Sequence, residues 1–219
     1  MLLFLVKNTH PDIANTTREL SKVMDGATLA AMKELCRVIK YVLDTRDYGL
    51  LIKPQGNKEI WEMQMFSDSD FAGDTERRIS VSGFILFLLG VPISWKSKGQ
   101  KSVTLSSSEA EYVALSEAVK EIRFVYQILQ SMKIEVQLPI IVRVDNVGAI
   151  YMSKGTVSSG RTKHVDVRYL YVREYIADGF IEVVFVSTVD NAVDIFTKNT
   201  SSEILDKTQK LMIGRKDDL

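Results

Sequence analysis

Pro139-Ile140-Ile141-Val142-Arg143-Val144-Asp145-Asn146 is the stretch that decides the fold. The run from Pro139 to Val144 is almost unbroken in its apolar character, the pattern of a strand buried in a parallel sheet. It ends on an aspartate, and Asn146 opens a short helix to about Lys154, stopped by Gly155. Upstream, Ser106 to Met132 reads as one long helix. Downstream, Val165 to Ala177 reads as a helix with Gly179 as its stop signal, Phe180 to Val186 as a strand, and Asp190 to Lys198 as a helix. Before all of these, Ile60–Ser67, Ile79–Leu89 and Val91–Trp95 read as strands, with turns at Ala72-Gly73-Asp74 and at Gly90. A hairpin-rich start followed by alternating strands and helices predicts an α/β domain with a mixed sheet. A site is then expected outside the carboxyl ends of its parallel strands.

The ends of the chain read differently. From about residue 13 to 44 apolar residues recur at helical spacing: Leu20, Val23 and Met24, then Leu29, Met32, Leu35, Ile39 and Val42. Asp25-Gly26 separates two segments, and Cys36 falls in the apolar pattern, so it is expected in a core. Pro54 to Lys58 is a short linker. The tail from Ser201 is a weakly amphipathic helix. The expected division is a helical segment over 1–54, the α/β domain over 58–200 and a tail helix over 201–219.

Composition is that of a globular chain: 219 residues, 46% hydrophobic and 26% charged, with 28 basic and 28 acidic residues. A net charge of zero means that any nucleic-acid contact must rest on local basic clusters. One cysteine excludes an internal disulfide and fits a reduced compartment. The apolar start is too short for a signal peptide, and Phe84–Val91 falls far short of the roughly 20 residues of a membrane span. An intracellular location, cytoplasmic or nuclear, is expected, with neither secretion nor a membrane partner.

Several acids stand where a fold does not require them. Asp68 follows the first strand and Asp145 ends the buried one, both near the expected crevice. Either could be a turn or cap residue, but Asn146 can cap in place of Asp145. In the long helix, Ser106-Ser107-Ser108-Glu109 fits a capping box, which occupies Glu109. Glu111 has no such duty. It shares the apolar stripe of Leu115, Ala118 and Ile122, while Glu117, Lys120 and Glu121 fall on an opposite, solvated face. A carboxylate on a core-facing stripe is costly unless paired or bound to metal. Asp194 sits in the first turn of the helix opened by Asp190, where pattern alone assigns it to dipole compensation. A set of carboxylates with almost no histidine suits Mg²⁺ or Mn²⁺ rather than zinc.

Motifs in order carry a resemblance. Ser67-Asp68-Ser69-Asp70-Phe71-Ala72-Gly73-Asp74, Ile93-Ser94-Trp95-Lys96-Ser97-Lys98 and Leu105 to Leu115 come first. Asp145-Asn146, Arg161-Thr162-Lys163-His164-Val165-Asp166-Val167-Arg168-Tyr169 and Ala192-Val193-Asp194-Ile195-Phe196-Thr197-Lys198 complete the series. Together they resemble the ribonuclease H domains of copia-type retrotransposon polyproteins over roughly residues 60 to 200. The resemblance implies a ribonuclease H-like fold with a five-stranded mixed sheet and helices on both faces. It implies an acid tetrad at Asp68, Glu111, Asp145 and Asp194 holding two Mg²⁺ ions, with Mn²⁺ able to substitute, and cleavage of the RNA strand of RNA–DNA hybrids. Asp70, two residues on, is the rival for the first position. Val186 to Asp190 lacks the loop histidine common in related domains. Residues before about 54 resemble the segment that joins reverse transcriptase to ribonuclease H, which makes the reverse transcriptase portion an expected partner; no Tyr-x-Asp-Asp motif is present.

Candidate substrate contacts are Lys96 and Lys98, with Lys101 near them, and Arg161, Lys163 and His164. Basic side chains flanking an acidic metal site would hold the phosphate backbone, although each cluster could equally be a solvated face. The competing reading is a catalytically silent remnant that binds nucleic acid or protein without cutting. An integrase-like core is a third reading, disfavoured by the Leu105–Leu115 motif.

Overall fold

The computed structural model describes residues 1–56, 59–74, 78–155 and 163–215, and only the backbone of 163–169. Its centre is a five-stranded mixed sheet. Strands β2 (Met63–Asp70), β3 (Val81–Leu88) and β4 (Val91–Gly99) form an antiparallel meander, and β5 (Ile140–Val144) and β6 (Ile181–Phe185) continue from β2 in parallel. The spatial order is β4-β3-β2-β5-β6. This is an α/β arrangement with the five-stranded mixed sheet that the motifs imply.

One face is covered by α4 (Ser107–Ser131), α5 (Val147–Lys154) and α6 (Lys163–Ala177). Helix α4 begins at the Ser106 cap, whose hydroxyl accepts from Glu109 N, while Glu109 reaches back to Leu105 N at 2.7 Å. Its stripe of Tyr112, Leu115, Ala118, Val119 and Ile122 is wholly buried against Met63, Met65, Phe84, Leu86, Ile140 and Val142. Burying each large side chain of this kind stabilises by about 1.5–3 kcal/mol relative to exposure. Glu117 and Glu121 do not point to open solvent, as their spacing suggested. The flank of α4 lies along the edge strand β4, where Glu117 pairs with Lys96 at 3.0 Å and Glu121 accepts from Ser94 Oγ.

The other face carries shorter pieces. Helix α7 (Asp194–Thr197), α2 (Ala14–Lys22) and a two-stranded ribbon cover β2, β3 and β4. The ribbon pairs β1 (Tyr48–Leu50) with β7 (Ile213–Arg215), so the expected tail helix, α8 (Ser202–Gln209), is followed by a strand. Ile85, Phe87, Val193, Phe196, Met212 and Ile213 close this second core. Over β5 the same face is only half covered: Ile141 and Arg143 are half-buried, with the Arg143 guanidinium over the Phe66 ring. Helix α3 (Leu29–Asp44) buries only Val38 fully, and Cys36 is exposed rather than in a core. Among the described residues, no helix is long and apolar enough to cross a membrane.

Candidate active site

Asp68 lies within β2, which runs on to Asp70, so it is a strand residue and does not follow the strand. Its cross-strand partner is Gly83 on β3. A Cβ at Gly83 would come within 2.8 Å of Thr197 Cγ2 and Val193 Cγ1 and within 3.0 Å of Phe196 Cβ, so only a bare backbone lets α7 lie this close to the sheet. That approach brings the Thr197 hydroxyl to donate to Asp68 Oδ2 and places Asp194, at the start of α7, beside the strand. Asp194 opens a one-turn helix preceded by the 3₁₀ turn Thr188–Asp190, and not a helix that begins at Asp190. Asp145 follows β5, and its Oδ2 accepts from the Thr188 hydroxyl at 3.0 Å. Asn146 caps α5 through Ala149 N, which leaves the Asp145 side chain out of the cap.

At the carboxyl ends of β2 and β5 these acids converge. Asp68, Asp145 and Asp194 each offer an oxygen within 4.8 Å of the others. Asp68 and Asp194 are 1% and 2% exposed, and Asp145 is half-buried. Glu111 arrives from α4 and is 5% exposed; its Oε1 accepts from Ser69 N at 3.1 Å, while Oε2 has no hydrogen-bond partner among the described residues. Burial pushes the Glu111 carboxyl up to about 9, with Asp68 and Asp145 adding to the rise. Burial likewise lifts Asp68 to about 7, against the opposing pull of Lys198 and the Thr197 hydroxyl. Asp194 is also raised by burial, partly offset by Lys198. Asp70 stands at the last position of β2, outside the cluster of three, with its carboxyl raised by burial.

Lys198 is the residue that sequence reasoning missed. Its Nζ lies 2.8 Å from Asp194 Oδ1 and 3.9 Å from Asp68 Oδ1. Burial acts to lower the ammonium's pKa, but Asp68 and Asp194 outweigh it and the net shift is upward. The Asp194–Lys198 spacing of four residues was the available signal, since such pairs meet on a helix. The α7 turn is buttressed from α2. Asn15 Nδ2 donates to Asn199, Arg18 Nε donates to Ser97 Oγ at 3.0 Å, and Ser97 Oγ donates to the Phe196 carbonyl.

Lys96 and Lys98 line a cleft of about 180 Å³ with Phe84, Gln100, Lys101 and Glu117 on the α4 face. Lys96 is engaged by Glu117 and sits over the Phe84 ring. Arg161 lies outside the described residues; Lys163 and His164 are at the start of α6, with their side chains outside the description. The donors at the cluster fit a divalent cation. Carboxylate oxygens are the hard ligands that Mg²⁺ and Mn²⁺ take, and a buried carboxylate oxygen without a partner, as at Glu111, is expensive to keep unless something binds it.

No protein-family model matches the chain. It is 36% identical over 193 residues, 88% of its length, to the retrovirus-related Pol polyprotein from transposon RE2 of Arabidopsis thaliana. It is 34% identical over 197 residues, 90% of its length, to the corresponding polyprotein from transposon TNT 1-94 of Nicotiana tabacum. The chain spans 13% and 14% of the length of these relatives. Among solved structures, LC11 ribonuclease H1 in complex with an RNA/DNA hybrid aligns at 15% identity with a TM-score of 0.47, over 67% of this chain and 98% of that one.

Proposed function

The chain belongs to the Pol polyproteins of copia-type retrotransposons, and from that premise we propose that it is a ribonuclease H that cuts the RNA strand of RNA–DNA hybrids by a two-metal mechanism. The observation that carries the reading is the meeting of Asp68, Asp145 and Asp194 within 4.8 Å at the carboxyl ends of parallel strands, with the orphaned Glu111 oxygen supplied from α4. Asp68, Asp145 and Asp194, with Glu111 beside them, would hold a pair of Mg²⁺ or Mn²⁺ ions, which would supply an activated water and charge stabilisation for the oxygen leaving phosphorus.

The chain's own residues prepare that chemistry. Asp68, Glu111, Asp145 and Asp194 would hold the ions. Thr197, Thr188 and Ser69 N fix three of the four carboxylates by hydrogen bonds, and such supporting partners typically contribute about 10–100-fold in metal affinity or activity. Lys96, Lys98, Arg161, Lys163 and His164 are assigned to the phosphate backbone of the hybrid. The reverse transcriptase portion of the polyprotein would deliver the substrate, inside the cell, in cytoplasm or nucleus.

The test is incubation of the purified chain with labelled hybrid, single-stranded RNA and duplex DNA, with and without Mg²⁺ or Mn²⁺. Metal-dependent cleavage of the hybrid alone is expected, and its loss in Asp145→Asn. Hybrid that is bound but stays whole with either ion overturns the nuclease and leaves a binding module in its place.

A further inference from the structure

We infer that the Lys198 ammonium is a resident cation of the acid cluster, seated between Asp68 and Asp194 in the place that a divalent ion must take, so that metal enters by exchange with it. The inference rests on the nuclease reading and deepens it.

Both Lys198 contacts are to Oδ1 atoms of candidate metal ligands, at 2.8 Å and 3.9 Å. The two acid side chains are 3% and 1% exposed, but that of Lys198 is 35% exposed. Buried carboxylates demand a counter-charge, and among the described residues the ion pairs of both acids go to this one ammonium. The backbone of Lys198 is held: its N–H bonds the Asp194 carbonyl at 3.1 Å, and the next side chain, Asn199, is bound by Asn15. The side chain, in contrast, is 35% exposed. A lysine head is a compact charge on four flexible carbons, so it can leave the cluster towards solvent without moving α7. A divalent ion on the same oxygens and an ammonium a few ångströms away repel as like charges. One therefore displaces the other. The lysine keeps the acids assembled when metal is absent, and its departure is the step that opens the site.

The test compares the wild-type chain with Lys198→Met, which keeps the stem and removes the charge, and with Lys198→Arg, which keeps the charge. Mg²⁺ and Mn²⁺ binding is measured by calorimetry without nucleic acid, beside thermal unfolding with and without metal. Lys198→Met should melt lower than wild type in the absence of metal and bind the ion about tenfold more tightly or better, as removal of a nearby like charge demands. Lys198→Arg should bind no more tightly than wild type. In the wild-type chain, acylation of Lys198 by an amine-reactive ester, read by mass spectrometry, should rise several-fold when saturating Mg²⁺ is added; this arm needs no variant to fold. Wild-type or weaker metal affinity in Lys198→Met, or Lys198 acylation unchanged or reduced by metal, overturns the exchange alone. A folded wild-type chain that binds no divalent ion overturns the nuclease reading, and the exchange with it.

Discussion

The two faces of the sheet are built by different means. The α4 face is closed by three helices that follow one another along the chain and bury one continuous apolar core. The α7 face is closed over β2 to β4 by a four-residue helix, by α2 from an early part of the chain and by a ribbon of two three-residue strands, and over β5 it is half open. Asp68, Asp145 and Asp194 meet between them, with Asp194 and Lys198 sent from the second face, while Glu111 on the first face reaches Ser69 N beside them. The larger apolar core lies under the first face; the second joins a smaller apolar core to close approach and polar contacts around α7.

The sharpest test of that division is Asp194→Asn. It removes a carboxylate from the lightly built face without removing apolar contact. Hybrid cleavage should fall by more than about 100-fold, since even residues that only support a metal ligand cost about 10–100-fold, while far-UV dichroism stays that of the wild type. An active Asp194→Asn chain would sink the assignment. Ile122→Ala should do the reverse. It opens a cavity in the α4 core and should cost about 2–5 kcal/mol in denaturant unfolding, with cleavage well below the melting temperature close to wild type. If cleavage falls as steeply as stability, the faces are not separable.

A third test is the response to pH in the absence of metal. The Asp68 and Glu111 carboxyls lie near 7 and 9 in the folded chain, against about 4 when unfolded. The folded chain thus binds more protons than the unfolded one across that window. The stability gained from holding them is complete below about pH 4 and is lost as pH rises through 7 and then 9. The melting temperature of the metal-free chain should decline between pH 6 and 9, and Glu111→Gln should shrink the decline by removing its upper part. Equal slopes in variant and wild type would show that the Glu111 carboxyl is not the strained group.

What the sequence made legible divides along the same line. Helix α4, its cap and the inward-facing Glu111 follow from capping chemistry and a 3.6-residue period, both of which act within a few residues. Strand β5 and the Asn146 cap are equally local. The ribbon was not legible, because Tyr48-Gly49-Leu50 and Ile213-Gly214-Arg215 are each too short to show alternation and meet only in space. Glu117 and Glu121 were misplaced because helical period fixes a face but does not say that an edge strand runs beside it. Cys36 was misplaced because an apolar stripe reports what a helix could bury, not what lies there to cover it. For Asp194 the local pattern named a dipole role, and only the wider motif set gave it another.

Gly83 carries no charge and no side chain, and would be passed over in any survey of reactive groups, although it stands directly across from Asp68. Yet the absence of a methyl at that one point is what lets the final turn seat itself against the strand. The span between strand-borne and turn-borne acids is in effect gauged by a spacer of zero thickness. Tolerance for error at the centre is thereby set on the neighbouring strand, by steric fit alone.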